Sequence, residues 1–156
     1  MGAPDTASEL AAEVSAAAQR EEVTVGTAES LTGGRISCLL AAAPSASQWY
    51  RGGIVAYSRE VKYGLLGVPV GPVVSQDSAR AMATGAARLL GADLLVAVTG
   101  SGGPDPQDGH DPGTVWFGLF DRGTVTTEPQ HFSGGPEAVV ARTTVRALEM
   151  LAQCLR

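Results

Sequence analysis

Ser30 stands where the chain changes character. The alternating run Val23-Thr24-Val25-Gly26-Thr27-Ala28-Glu29 stops there at small hydroxyl residues and two glycines, Ser30-Leu31-Thr32-Gly33-Gly34. Arg35-Ile36-Ser37-Cys38-Leu39-Leu40 then suits a helix. A strand feeding a tight turn into a helix leaves the first helical N–H groups without intrahelical partners, and the helix dipole adds positive potential there. A hydroxyl at such a junction, beside the backbone of Leu31, Thr32, Gly33 and Gly34, faces donors suited to an anion or an oxyanion. The plainer role for Ser30 or Thr32 is to cap the helix, and for an isolated serine that is the commoner one.

A serine acts as a nucleophile only with a base. His110 falls in a polar loop and His131 late in a strand, so a Ser-His-Asp arrangement is not expected. There is no Gly-x-Ser-x-Gly elbow around Ser30, no Ser-x-x-Lys and no Walker loop. Tyr57, at a strand end, and Lys62, about one helical turn beyond, lie within reach of a serine on a neighbouring strand. On spacing alone a solvated surface lysine is the commoner reading of Lys62. Thr99 and the glycines at 100, 102 and 103 form a second loop, where missing side chains let a ligand approach the backbone; Pro104 interrupts any phosphate cradle, so a pocket wall fits better. Asp105, Asp108, His110 and Asp111 lack the spacing of a calcium loop and mix hard and borderline ligands, which predicts an acidic solvated loop and no metal site.

Positioning these residues requires the following elements. Residues 1–21 contain an Ala-rich amphipathic helix from about Asp5 to Arg20, with Leu10 and Val14 at helical spacing. After the Ser30 junction and its helix, Trp49-Tyr50-Arg51-Gly52-Gly53 leads into a short apolar strand, Ile54 to Tyr57, and residues 58–67 form a brief helix closed by glycine. Prolines 69 and 72 make 68–74 an irregular surface connection. Ser75 opens a helix burying Ala79, Met82, Ala83, Ala86 and Leu90, and Leu94 to Thr99 is an apolar strand of the kind buried on both faces. Residues 113–120 and 124–132 pair as a hairpin about Asp121-Arg122-Gly123, and Pro136 starts a last helix carrying Val145, Leu148, Ala152 and Leu155. The alternation predicts an α/β fold: a three-layer α/β/α sandwich with a mixed, mostly parallel sheet of about five strands, one of them antiparallel. Sites in such sheets lie beyond the strand C-termini, where Ser30, Tyr57 and the 100–103 glycines fall.

The chain of 156 residues, 44% hydrophobic, is read as one domain over 1–156. Its net charge of −5, with scattered basic residues, argues against a nucleic-acid surface. Asp5, Glu9 and Glu13 stand where a secretory signal needs an apolar core, and no apolar run could span a bilayer, so a soluble, cytoplasmic protein without a membrane partner is expected. Cys38 and Cys154 are expected to be buried thiols, and a homodimer is the default oligomer.

Five segments together resemble the C-terminal domain of the competence/damage-inducible protein CinA, whose free-standing members are nicotinamide-nucleotide amidases. They are Thr27 to Gly34, Trp49 to Ser58, Glu60-Val61-Lys62, Ala97-Val98-Thr99-Gly100 and Pro112-Gly113-Thr114-Val115-Trp116. The resemblance implies hydrolysis of the carboxamide of nicotinamide mononucleotide, or a related pyridine nucleotide, to the acid and ammonia. Ser30 would be the nucleophile, Lys62 the base and Tyr57 an assisting group, with no metal or cofactor. The chain has Thr99-Gly100-Ser101-Gly102-Gly103-Pro104 where the family usually has Thr-Gly-Ile-Ala-Gly-Pro. It has Gly134-Gly135-Pro136 and Val140 where the family usually has Gly-Asp-Arg and a further arginine. Arg142 is the nearest replacement. The rival reading is a nucleotide-binding or interaction module of the same fold that has lost turnover.

Overall fold

A computed structural model describes residues 5–103 and 108–156 of the chain. Asp5 caps α1 (Thr6–Glu21) by accepting from the Ser8 N–H at 2.7 Å. β1 (Val25–Glu29) follows, then α2 (Arg35–Ala41), a single turn α3 (Ala46–Trp49) that the sequence did not suggest, and β2 (Tyr50–Val55). Next come α4 (Arg59–Leu66), α5 (Gln76–Leu90), β3 (Leu94–Gly100), β4 (Thr114–Asp121), β5 (Thr124–His131) and α6 (Pro136–Cys154). Ser58 and Ser75 cap α4 and α5, and Gly67 and Gly91 end them in left-handed conformations, as glycine after a helix commonly does.

The sheet order is β2-β1-β3-β4-β5. β1 pairs in parallel with β2 and β3, while β4 pairs antiparallel with both β3 and β5, so β4 alone runs against the rest. The β4–β5 turn places both Arg122 and Gly123 at positive φ, which suits the twist of a two-residue hairpin. β3 is buried along its whole length. One core joins α1, α2 and α6 to Val25, Val96, Val98 and Phe117; the other joins α5 to Ala28, Leu95 and Ala97. β1, β2 and β3 therefore end at one edge, and the turns carrying Ser30, Tyr57 and Gly102 leave from it.

Four sequence expectations are corrected. β2 begins at Tyr50 and is an edge strand, leaving Val55 46% and Tyr57 72% exposed. The 68–74 connection is irregular but not superficial: Val68, Val73 and Val74 are buried because α5 and the end of β3 cover them. Cys38 is exposed and Cys154 half-buried, since the apolar stripe of α2 is carried by Ile36 and Leu40. Of the acidic loop, Pro104 and Asp105 lie outside the described residues, and Asp108 is not solvated but bonded to the backbone of 73 and 74. Among the described residues no helix is long and apolar enough to cross a membrane, and no cluster of potential metal ligands occurs.

Two helical glycines give opposite predictions. A Cβ on Gly85 of α5 would strike the carbonyl oxygen of Leu66, whereas one on Gly64 of α4 would meet nothing within 4 Å. Gly85→Ala should destabilise the fold by about 1–3 kcal/mol, and Gly64→Ala should stabilise it by about 0.5–1 kcal/mol through helix propensity, both read from urea midpoints.

Candidate active site

The site is built around a carboxylate. Glu29, the last residue of β1, is fully buried, and its side chain takes the place of an N-cap for α2, whose own capping position is Gly34. Oε1 accepts from Thr32 Oγ1 at 2.6 Å, Ile36 N at 3.0 Å and Gly34 N at 3.2 Å; Oε2 accepts from Ser37 Oγ at 2.6 Å and Ser37 N at 2.8 Å. A negative charge at a helix N-terminus is also favoured by the dipole. The Gly33 N–H is spent on the Ser30 carbonyl at 3.0 Å. Gly33 and Gly34, expected as oxyanion donors, are therefore engaged internally, while the N–H groups of Leu31 and Thr32 have no acceptor among the described residues.

Side chains alternate along β1: Val25 packs into the α1/α2/α6 core, Ala28 into the α5 core, and Glu29 turns back to α2. Ser30 is the first residue of the turn that follows, its carbonyl accepting from Gly33 N. Ala56 N donates to the Glu29 carbonyl at 2.8 Å, so the segment leading into α4 runs beside Ser30. Ser30 is 5% and Lys62 2% exposed. The two are not hydrogen-bonded to each other, and neither the hydroxyl nor the amine has a partner among the described residues; catalytic contacts commonly tighten only when substrate binds.

Lys62 is the only lysine in the chain, every other basic side chain being arginine, and its depth is a feature that spacing did not reveal. Burial pushes its pKa from 10.5 down to about 8, the Arg59 guanidinium adds to the shift, and the Asp108 carboxylate opposes it.

The other expected site residues divide. Leu31, Gly33, Gly34 and Tyr57 line an open groove of about 1200 Å3 between the start of α1, α2 and α6; Arg35 and Val140 line it too. Arg35 is the only cationic side chain among its lining residues, tethered by Nη1 to the Thr32 carbonyl at 2.9 Å, and its place in a helix carries no signal of this in the sequence. Arg142 does not line this groove but a shallow hollow with Gln130, Phe132 and Arg146 on the β5 side of α6. The Thr99 hydroxyl is committed to the Val73 carbonyl at 2.7 Å. A Cβ on Gly100 would press on Val115 at 2.8 Å, and Gly103 sits at φ 90 °, so these two serve packing and turn geometry. Gly102 alone leaves space, facing Leu31 at 3.9 Å.

Residues 7–155 match the family described as CinA C-terminal domain. The nicotinamide-nucleotide amidohydrolase PncC of Pseudomonas putida is 41% identical over 141 residues, covering 86% of this chain and 88% of that protein. A competence-damage inducible protein of Bacillus subtilis is 36% identical over 138 residues, 85% of this chain, and the chain spans 33% of that longer relative. Among solved structures, a CinA superfamily protein from Klebsiella pneumoniae superposes with a TM-score of 0.91 at 35% identity, covering 97% of this chain and 98% of that one.

Glu29→Gln keeps the shape but replaces one acceptor oxygen with an NH2 that faces donors. It should cost about 2–4 kcal/mol in urea unfolding, with Glu29→Ala costing at least as much, because buried donors lose their acceptor. A neutral Glu29→Gln would mean that α2 is held by its apolar face alone.

Proposed function

Because the chain belongs to the CinA C-terminal domain family, we propose that it is an amidohydrolase that converts the carboxamide of nicotinamide mononucleotide, or of a closely related pyridine nucleotide, to the acid and ammonia. The observation that carries this reading is the buried Lys62: an amine with pKa about 8 is neutral in roughly one molecule in ten at pH 7, against fewer than one in a thousand for an ordinary lysine.

In the first step the neutral amine of Lys62 takes the proton of the Ser30 hydroxyl as the oxygen bonds to the carboxamide carbon, and the carbonyl electron pair moves onto oxygen. The Leu31 and Thr32 N–H groups are the donors for that oxyanion, because Glu29 has already taken those of Gly34, Ile36 and Ser37. Collapse breaks the C–N bond, and the Lys62 ammonium returns its proton to the leaving nitrogen, giving ammonia. Water, deprotonated by Lys62, then attacks the acyl carbon, and as the C–Oγ bond breaks the Lys62 ammonium gives that proton to Ser30 Oγ, releasing the acid and restoring both groups. Tyr57 offers a phenol at the groove mouth, and Arg35 supplies the positive charge that a nucleotide phosphate needs; Gly102 leaves room for the substrate against Leu31.

One observation favours a second reading, a binding module with little turnover. α6 presents Pro136 and Val140 to the groove where the family resemblance leads one to expect arginine. Nicotinamide mononucleotide raising the melting temperature without release of ammonia would select it.

With this substrate the pure protein should release ammonia, and Ser30→Ala should not. The rate should rise with pH along one limb with its midpoint near 8, since the unprotonated amine is the active form. Lys62→Arg should be inactive although it keeps the charge; an active Lys62→Arg protein rules out a lysine base.

Lys62→Met should be equally inactive but more stable at pH 6–7, where wild type carries a buried ammonium. The sign follows from the lowered folded pKa: between about 8 and 10.5 the unfolded chain binds more protons than the folded one, so wild-type stability climbs with pH. The melting-temperature advantage of Lys62→Met should therefore shrink above pH 8.

A further inference from the structure

One buried charged cluster takes no part in these steps. Asp108, between β3 and β4, adopts a left-handed conformation (φ 54 °), and its side chain is 7% exposed. Its Oδ2 accepts from Val73 N at 2.8 Å and Val74 N at 2.9 Å, and its Oδ1 accepts from Arg59 Nη2 at 2.6 Å. Arg59 is the first residue of α4, three before Lys62, so the two side chains leave one face of the helix. The segment that Asp108 holds is gripped from two further directions. Thr99, near the end of β3, donates to the Val73 carbonyl, and Tyr63, next after Lys62, donates to the Gly71 carbonyl at 2.6 Å and accepts from Gly71 N at 3.3 Å.

We propose that Asp108 and Arg59 are positioning residues for Lys62: their ion pair fastens the first turn of α4 to the 71–74 connection and sets one negative and one positive charge beside the amine. The inference rests on Lys62 acting as the base. Among the described residues the charged and titratable groups around α4 are its own Arg59, Glu60 and Tyr63, the Asp108 of the loop, and, from α5, Asp77, Arg80 and Arg88, which flank the far end of the helix at Gly64 and Gly67. Of these, Arg59 and Asp108 act on the amine, and in opposite senses, Arg59 against the ammonium and Asp108 for it. Burial works to raise the Asp108 carboxyl, but the Val74 amide, the Arg59 guanidinium and the Val73 amide hold it below the ordinary carboxylate range, so it is charged wherever Lys62 titrates.

The pair therefore predicts opposed effects from its two halves. Asp108→Asn removes the negative charge and unmasks Arg59, which should move the Lys62 midpoint below about 8 by half a unit or more; Arg59→Gln removes the positive charge and should move it upward by a similar amount. The double variant should return near the wild-type midpoint. Since Lys62 is the sole lysine, protein grown with 13C-lysine gives one Cε resonance, and its titration reads the amine without any turnover. The Arg59 side chain is 41% exposed and its ion pair is with Asp108, so Arg59→Gln should fold even if Asp108→Asn does not, and its upward shift alone tests the pairing. Opposed shifts in the resonance uphold the pairing even if no ammonia is released. Unmoved midpoints, or movement in the same direction, overturn it even if ammonia is released, and would leave the cluster a purely structural tie.

Discussion

The bond set of the Glu29 carboxylate is the constraint from which the rest of the site follows. A strand-end carboxylate that caps the next helix couples β1 to α2 without using the turn between them, so residues 30–34 are pinned at both ends while the amides of Leu31 and Thr32 stay uncommitted. The constraint extends sideways. Ser37 has one hydroxyl proton, which goes to Glu29, so Thr27 must donate to Ser37 at 2.8 Å and Tyr50 to Thr27 at 3.2 Å. Burial pushes the Tyr50 phenol up, which keeps that proton in place. Gly53 follows as a consequence: a Cβ there would collide with the hydroxyls of Ser37 and Thr27.

The Glu29 carboxylate and the Lys62 amine are buried in different ways. A buried carboxylate surrounded by five donors is well satisfied and fixes geometry, whereas the Lys62 amine, on a buried side chain, is made easier to deprotonate chiefly by desolvation. The Glu29 bonds also explain why the α2 N-terminus is not an anion site, although a strand-turn-helix junction invites that reading: its positive end is already neutralised by the chain itself.

What the sequence made legible was local. Periodicity located all five strands within a few residues and all the longer helices, and the Ser30 junction and the hairpin turn stand out from their residue types alone. Contacts between distant segments were illegible. Asp108 looks like one acidic residue in a polar loop until the fold carries it to the 73–74 amides and Arg59, and Arg142 looks available until the rotation of α6 turns it toward β5. Lys62 misleads for the same reason, because its burial comes from how α4 is packed and not from its neighbours in sequence. Its being the sole lysine among arginines was the readable signal, since guanidinium cannot be deprotonated in the working range and ammonium can.

The docking of α4 is where these threads meet. An ordinary amphipathic helix is held by its apolar stripe, but the buried residues of α4 are Lys62 and Leu66, while Val61 and Leu65 are substantially exposed. A helix that buries an amine in place of a second leucine gains little from the hydrophobic effect and needs other ties. They are polar and come from both ends: Arg59 to Asp108, Tyr63 to Gly71, and the Lys62 carbonyl accepting from Val68 N at 3.1 Å. Burial is the largest cause of the lowered Lys62 pKa, and the Arg59 guanidinium and the Asp108 carboxylate act on it in opposite senses. The one buried amine of the chain thus sits on a helix whose docking is carried as much by hydrogen bonds as by apolar contact.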